Sequence, residues 1–196
     1  MPRFTTISPT SVRGKKKECW ESFRDGGYIA VGWFDEVLPE LKLDFSKDLT
    51  GYSLEEILAY AHTVYTVKNT QIFQRYHPDW LFSEPDREIK KIEDVFKKFL
   101  TLEIGDYVAA NNTNDGLFGI GRIMSGYKFE KGKHYAGRRN TIEKYYPHYR
   151  EVDWIITTYM KRTDIIKQGE TSWQPYGTMG KMYDCLPSYV ERILKM

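Results

Sequence analysis

Hydrophobic and polar positions change their spacing several times along this chain, and each change marks an element. Residues 1–19 show no sustained period: Thr5, Thr6, Ser8, Pro9, Thr10 and Gly14 interrupt it, which predicts an extended arm. The apolar run Tyr28-Ile29-Ala30-Val31 predicts a first strand over 27–32. That strand passes through Gly32 into Trp33, Phe34 and Asp35, where small polar turn residues are the usual choice. Two large aromatics and a carboxylate at a strand end either seed a core or line a pocket for something flat.

Farther on, Ser53-Leu54-Glu55-Glu56 is a capping box that opens a helix to about residue 68, with Leu54, Ile57, Leu58 and Ala61 on one face. Ser83, Pro85 and Asp86 mark a second helix start. Ile89, Ile92, Phe96, Phe99 and Leu100 keep three-four spacing there, while Lys90, Lys91, Lys97 and Lys98 fall mainly on the solvated side. The period then drops to two. Tyr107-Val108-Ala109 enters a strand, 111–116 supplies the turn, and 117–124 returns. Gly119 and Gly121 weaken the returning strand unless another backbone or a ligand comes close. A long polar loop over about 125–147, a strand over 150–160 and a short helix from near Pro187 complete the pattern. The order predicts an α+β fold: a twisted, mostly antiparallel sheet, or a small barrel, flanked by helices.

Composition narrows the function classes. The 196 residues suffice for one domain with a real core, and no apolar run reaches the roughly 18 residues a membrane helix needs. Cys19 and Cys185 stand far apart and outside any C-x-x-C pair, which points to reduced thiols and a cytoplasmic location. The first residues have the form of no secretory signal. The glycines around 126–134 and 177–182 do not complete a phosphate-binding loop. His62, His77, His134 and His148 lack zinc-ligand spacing. No serine or cysteine nucleophile motif is present, so binding is expected rather than catalysis, with no metal and no cofactor.

The net charge of +2 excludes little, but its distribution is uneven. Between 122 and 150 stand Arg122, Lys128, Lys131, Lys133, Arg138, Arg139, Lys144 and Arg150, opposed only by Glu130 and Glu143. This stretch is either a solvated loop or an edge that faces phosphates. The chain also carries 15 Tyr, 10 Phe and 5 Trp; most must be core, while several sit beside Gly, Pro, Asn or charges rather than inside apolar runs. Three aromatic clusters sit at element ends: Trp33-Phe34-Asp35, His77-Pro78-Asp79-Trp80, and Tyr127 to Tyr135. Rings so placed suit flat, polarisable ligands, and stacking on one contributes about 1–3 kcal/mol per base.

The ordered strings IGDYVAANN, LFGIGRIMSGY and REVDWIITTYM, preceded by YIAVGW and WLFSEPDREIKKIEDVF, resemble the EVE and YTH branch of the PUA-like superfamily over about residues 27–160. Within that branch the chain looks most like the amino-terminal DNA-recognition domain of archaeal McrB-type, modification-dependent restriction enzymes. The resemblance implies a PUA-like fold over 20–196, following a basic arm at 1–19, that flips N6-methyladenine out of duplex DNA into an aromatic cage. An AAA+ GTPase domain and a nuclease subunit would be its partners, and no membrane is implied. Trp80 matches the cage tryptophan, while Trp33 and Asp35 take the positions of pocket and edge-reading residues. A second cage tryptophan is missing, so Tyr127 or Tyr135 would replace it. The Lys-Ser pair of YTH domains is also absent, with Gly32-Trp33 in its place.

Phosphate contacts are expected from Lys128, Lys131, Lys133, His134, Arg138 and Arg139, and from Lys15, Lys16 and Lys17. The same resemblance admits a reader of methylated RNA or of methylcytosine. A base-modifying enzyme using Asp35 and Glu36 and a protein-interaction module are the remaining alternatives.

Overall fold

The structure, a computed structural model, describes residues 1–9, 16–33, 37–38, 43–44, 46–68, 85–112, 115–139, 142–170 and 178–196. Strand β1 (Phe4–Ile7) is followed by helix α1 (Lys16–Gly26), β2 (Tyr28–Val31), β3 (Val37–Leu38), β4 (Leu43–Asp44), α2 (Leu54–Lys68) and α3 (Pro85–Leu100). Then come β5 (Tyr107–Asn112), β6 (Gly116–Ile123), β7 (Lys128–Arg139), β8 (Ile142–Ile156), β9 (Met160–Lys161), α4 (Arg162–Ile165) and α5 (Ser188–Leu194).

The main sheet runs β1-β5-β6-β8-β2, with β7 added on β8 and β9 on β6. Among the described residues, only the β1–β5 pairing in it is parallel; the other ladders are antiparallel. Register shifts interrupt the ladders at Ala110/Asn111, at Ile120/Gly121 and twice between β7 and β8. Each shift bends its strand and increases the local twist. The sheet accordingly curls into a half-barrel flanked by helices, an α+β architecture as the sequence pattern predicts.

Alternation along the strands divides the core in two. Ile7, Val108 and Ala110 face the larger part, with Trp20, Phe23, Ile57, Ala61, Ile92, Val95, Phe96 and Phe99 from the three longer helices. Phe4, Ala109, Leu117 and Ile120 face the other part, which Tyr189, Val190 and Ile193 of α5 cover. The capping box forms: Ser53 N–H donates to Glu56 Oε2 at 2.8 Å and Glu56 N–H to Ser53 Oγ at 3.2 Å.

Two sequence expectations are corrected. Residues 1–19 are not one extended arm: Phe4–Ile7 is a buried core strand, and helix α1 begins at Lys16. Its side chains Thr5 and Thr6 hid an alternation that is buried on both faces. The supposed polar loop over 125–147 is mostly the β7–β8 hairpin, whose charged, tyrosine-rich strands lack a simple alternating pattern.

Gly119 and Gly121 admit protein, not ligand. A Cβ at Gly119 would lie 2.4 Å from the Ile156 carbonyl oxygen and 2.5 Å from the Trp20 ring. Trp20 lies in that space, stacked on Phe118 and edge-on to Trp154 with centroids 4.7 Å apart.

The carboxyl end of α3 is tied to the sheet by Arg150 of β8. Its buried guanidinium donates to the carbonyls of Phe99 (2.9 Å), Leu100 (3.0 Å) and Ser125 (3.1 Å). Two of those acceptors belong to the last turn of the helix, whose carbonyls have no partner within the helix. Asp106 does similar work at the start of β5: it accepts from Arg3 N–H at 2.8 Å and Glu103 N–H at 2.8 Å, and pairs with the Arg3 guanidinium. Burial raises the Asp106 carboxyl, yet these donors together hold it below the ordinary carboxylate range. Helix positions and the half-barrel are thus linked by buried charged groups on either side of α3.

Candidate functional site

The end of β2 carries the chain into its most unusual backbone. Trp33 has φ 70°, and it is the only non-glycine residue with positive φ among those described. A left-handed conformation is disfavoured for a bulky L-residue, so the surrounding structure must hold it there. The holding group is His148, which pairs with Val31 across the β2–β8 ladder. Its Nε2–H donates to the Trp33 carbonyl at 2.9 Å.

That bond decides the rest of the network. A carbonyl only accepts, so Nε2 carries the proton and Nδ1 of the neutral ring is an acceptor. Tyr127 Oη–H therefore donates to Nδ1 at 2.8 Å, and Tyr127 Oη in turn accepts from Leu49 N–H at 3.0 Å. His148 is 0% exposed. Burial pushes its pKa down to about 4, only partly offset by the bond to Trp33 and the charge of Asp48. Burial also pushes the Tyr127 hydroxyl up, so it remains a donor at neutral pH.

Three segments are joined by this relay: the end of β2, the start of the hairpin, and the loop that precedes α2. The loop is itself braced, since Asp48 Oδ1 accepts from both Thr50 N–H and Thr50 Oγ1–H. Lys47 lies 4.4 Å from the Tyr60 ring centroid on α2 and 4.5 Å from that of Tyr52. Aromatic rings complete the cluster. Trp33 packs on Phe96 of α3 (centroids 6.0 Å), Phe96 meets His148 edge-on (5.3 Å), Phe129 approaches His148 (5.4 Å), and Tyr127 lies nearly parallel to it (5.9 Å, 27°). Trp33 and Tyr127 are half-buried and pack against the core. The arrangement can present fixed aromatic surface to a planar ligand without further ordering of those two residues.

The structure thus brings together Trp33 and Tyr127 of the expected pocket set. Tyr135 is placed differently: its ring meets Tyr145 and its hydroxyl donates to Glu18 Oε2 of α1 at 3.1 Å. Tyr127 is therefore the better-placed tyrosine. Asp35 and Trp80 lie outside the described residues, as does Lys15.

The residues expected to contact phosphates fall in different environments. His134 is 4% exposed and wedged between Tyr28 and Tyr149, with centroids 4.3 and 3.9 Å away. Burial lowers its pKa to about 4, so at neutral pH it offers a phosphate neither charge nor access. Lys128 pairs with Glu151 at 2.6 Å and Lys133 with Glu130 at 2.7 Å, which neutralises part of the hairpin's charge. Arg150 is spent on backbone carbonyls, as described above. Lys17 and Lys131 are exposed; Lys16 is half-buried, and desolvation lowers its pKa against the pull of Asp115. Arg138 and Arg139 end β7, opposite Glu143 and Ile142.

His148 is the site residue that sequence reasoning missed as such. In YYPHY it reads as one more partial charge in a basic stretch, and only strand pairing opposite Val31 brings it beneath Trp33. Among the described residues, no group of three or more His, Cys, Asp or Glu is placed to hold a metal ion. No described helix is long and apolar enough to cross a membrane.

Neither a curated protein nor a solved structure matches the chain. Residues 7–175 match the family described as a domain of unknown function, DUF8426, and the chain belongs to that family.

Proposed function

We propose that this chain is a PUA-like, EVE/YTH-type reader of modified DNA that accepts a flipped N6-methyladenine at the end of β2. One observation carries the reading: Trp33 is held half-buried in a left-handed conformation by a buried neutral histidine. Strained backbone of this kind clusters at ligand-binding positions, where fixed geometry is worth its cost. Trp33 and Tyr127 supply stacking surface, and Trp80 would close the cage as the family resemblance implies. Asp35 would read the base edge. The sheet is a curled half-barrel flanked by helices, compatible with a small barrel-like fold.

The energies permit it. Flipping costs a few kcal/mol of unstacking and unpairing. One stacked ring returns about 1–3 kcal/mol, and burying the methyl group about 0.8 kcal/mol. Two rings and an edge contact therefore offset the flip for a modified base and barely do so for an unmodified one. The chain's own task in this reading is binding. Nucleotide hydrolysis and DNA cleavage would belong to an AAA+ GTPase domain and a nuclease subunit of a McrB-type system.

The test is polarisation binding to matched duplexes that are unmodified or carry N6-methyladenine, 5-methylcytosine or 5-hydroxymethylcytosine, with a methyladenine RNA strand as a fifth ligand. Preference for the methyladenine duplex, weakened about 5- to 150-fold in Trp33→Ala, supports the reading. Equal affinity for all five ligands refutes it. Preference for the RNA or a cytosine modification reassigns the ligand.

A further inference from the structure

Besides the hairpin, where Lys128 pairs with Glu151 and Lys133 with Glu130, a second surface offers positive charge. A groove of about 670 Å³ lies between the last two turns of α3 and the segment 178–183, which bridges back to β1. Its size is within the roughly 300–1,000 Å³ range of ligand sites. Arg3, Lys97, Lys98 and Lys181 line it against a single carboxylate, Asp94, while Met179 and Met182 form an apolar part of the wall.

The four cations are not equivalent. Arg3 is committed to Asp106 and Glu103, and it donates to the Thr101 carbonyl, so it shapes the wall. Lys98 pairs with Asp94 at 2.7 Å and reaches the Met179 carbonyl at 3.4 Å, which links helix to segment. Lys97 and Lys181 are exposed, and Lys181 stands 5.3 Å over the Tyr183 ring. Two exposed ammonium groups over a wall whose other cations pair with carboxylates leave net positive charge directed at the groove. A neutral or cationic ligand would gain nothing from that arrangement, whereas a row of phosphates would.

We propose that this groove holds consecutive phosphates of a nucleic-acid strand through Lys97 and Lys181. It rests on the reading of the chain as a nucleic-acid binder, but not on which base is modified. It also adds cationic grip to that of a hairpin in which Lys128 and Lys133 are paired with carboxylates. The Trp33 site uses the Phe96 face of the same helix, so base recognition and backbone grip would share α3 as a common support.

The test uses the full chain and fluorescence polarisation with methyladenine and unmodified duplexes across a salt series. The variants are Lys97→Gln/Lys181→Gln and, for equal loss of charge elsewhere, Lys90→Gln/Lys167→Gln, whose parent lysines are exposed. The groove variant is expected to reduce the slope of log K against log salt by about 2 for both duplexes. If the lines meet near 1 M salt, that amounts to about 100-fold weaker binding at 0.1 M. The ratio of affinities for the two duplexes stays at the wild-type value.

Unchanged slopes, or an equal fall in the control variant, overturn the proposal. So does a groove variant that loses binding of tripolyphosphate alone while its duplex binding stays intact, since the groove would then serve a free polyphosphate. A wild-type ratio of one with a reduced slope in the groove variant would defeat the modified-base reading and leave the groove standing. Selective binding with an unaltered slope would do the reverse.

Discussion

Replacing Tyr127 with Phe removes one oxygen from a relay of three hydrogen bonds and keeps the ring. The change opens no large cavity, so the cost comes from polar groups left alone. Leu49 N–H loses its acceptor and His148 Nδ1 loses its donor, in a place where His148 is inaccessible to water. An orphaned buried donor or acceptor costs about 1–3 kcal/mol, so Tyr127→Phe, which orphans two, is expected to destabilise the protein by about 2–6 kcal/mol. The assay is urea denaturation at pH 7.5 followed by tryptophan fluorescence. A companion variant, His148→Phe, removes the acceptor. In that background Tyr127→Phe should cost at least about 1 kcal/mol less, because the two residues interact directly. A loss below about 0.5 kcal/mol in the single variant would refute the reasoning, as it is the size of an ordinary surface change. An absence of coupling would show that the relay does not act as one unit.

Acid should weaken the fold over a defined window. His148 has a folded pKa of about 4 against about 6.5 for an unfolded histidine, so between those values the unfolded chain binds the extra proton. Stability should therefore fall as pH drops from 6.5 towards 4, by about 3 kcal/mol for this residue alone, and His148→Phe should flatten the decline. His134 acts with the same sign in the same window. Arg150→Met should cost about 3 kcal/mol or more in the urea assay, since three carbonyls lose a charged donor; a loss under about 1 kcal/mol would deny its role as the cap of α3. Gly119→Ala should destabilise by about 1–3 kcal/mol through contact with Trp20 and the Ile156 carbonyl. Gly126→Ala, with nothing within 4 Å of the added carbon, should change stability by less than about 0.5 kcal/mol. Equal effects at the two glycines would contradict the packing described around Trp20.

Helices α2 and α3 were legible because a single period governs each of them, whereas α1 was read as part of an extended arm. Ile89, Ile92, Phe96 and Phe99 are all buried, as their spacing requires, and Ser53 with Glu56 marks the start of α2 by local chemistry alone. Strand β1 was not legible, since a strand covered on both faces alternates nothing: Phe4, Thr5, Thr6 and Ile7 are all buried. The hairpin was obscured for the opposite reason. Its strands carry lysines and tyrosines, and its ladder is offset twice, so no period of two survives. In the candidate site, aromatic character at a strand end pointed to Trp33 and Tyr127. The residue that joins them could not be found that way, because His148 acquires its role from partners 115 and 21 positions away. Charge was the least reliable guide: lysines that look free in the sequence are paired with Glu151 and Glu130 once the hairpin folds.

The central claim, that Trp33 receives the modified base, is tested most directly by the indole N–H resonances of the tryptophans. Protein labelled with ¹⁵N at tryptophan would be titrated with a methyladenine duplex and with its unmodified counterpart. Trp154 is an internal reference, because its Nε1–H is bound to the Phe23 carbonyl at 2.9 Å on the α1 side of the sheet. The account predicts that the Trp33 resonance, assigned by its loss in Trp33→Phe, shifts and saturates with the methyladenine duplex alone while Trp154 stays in place. A Trp33 resonance that does not move under saturating methyladenine duplex, or that moves equally with both duplexes, would contradict it.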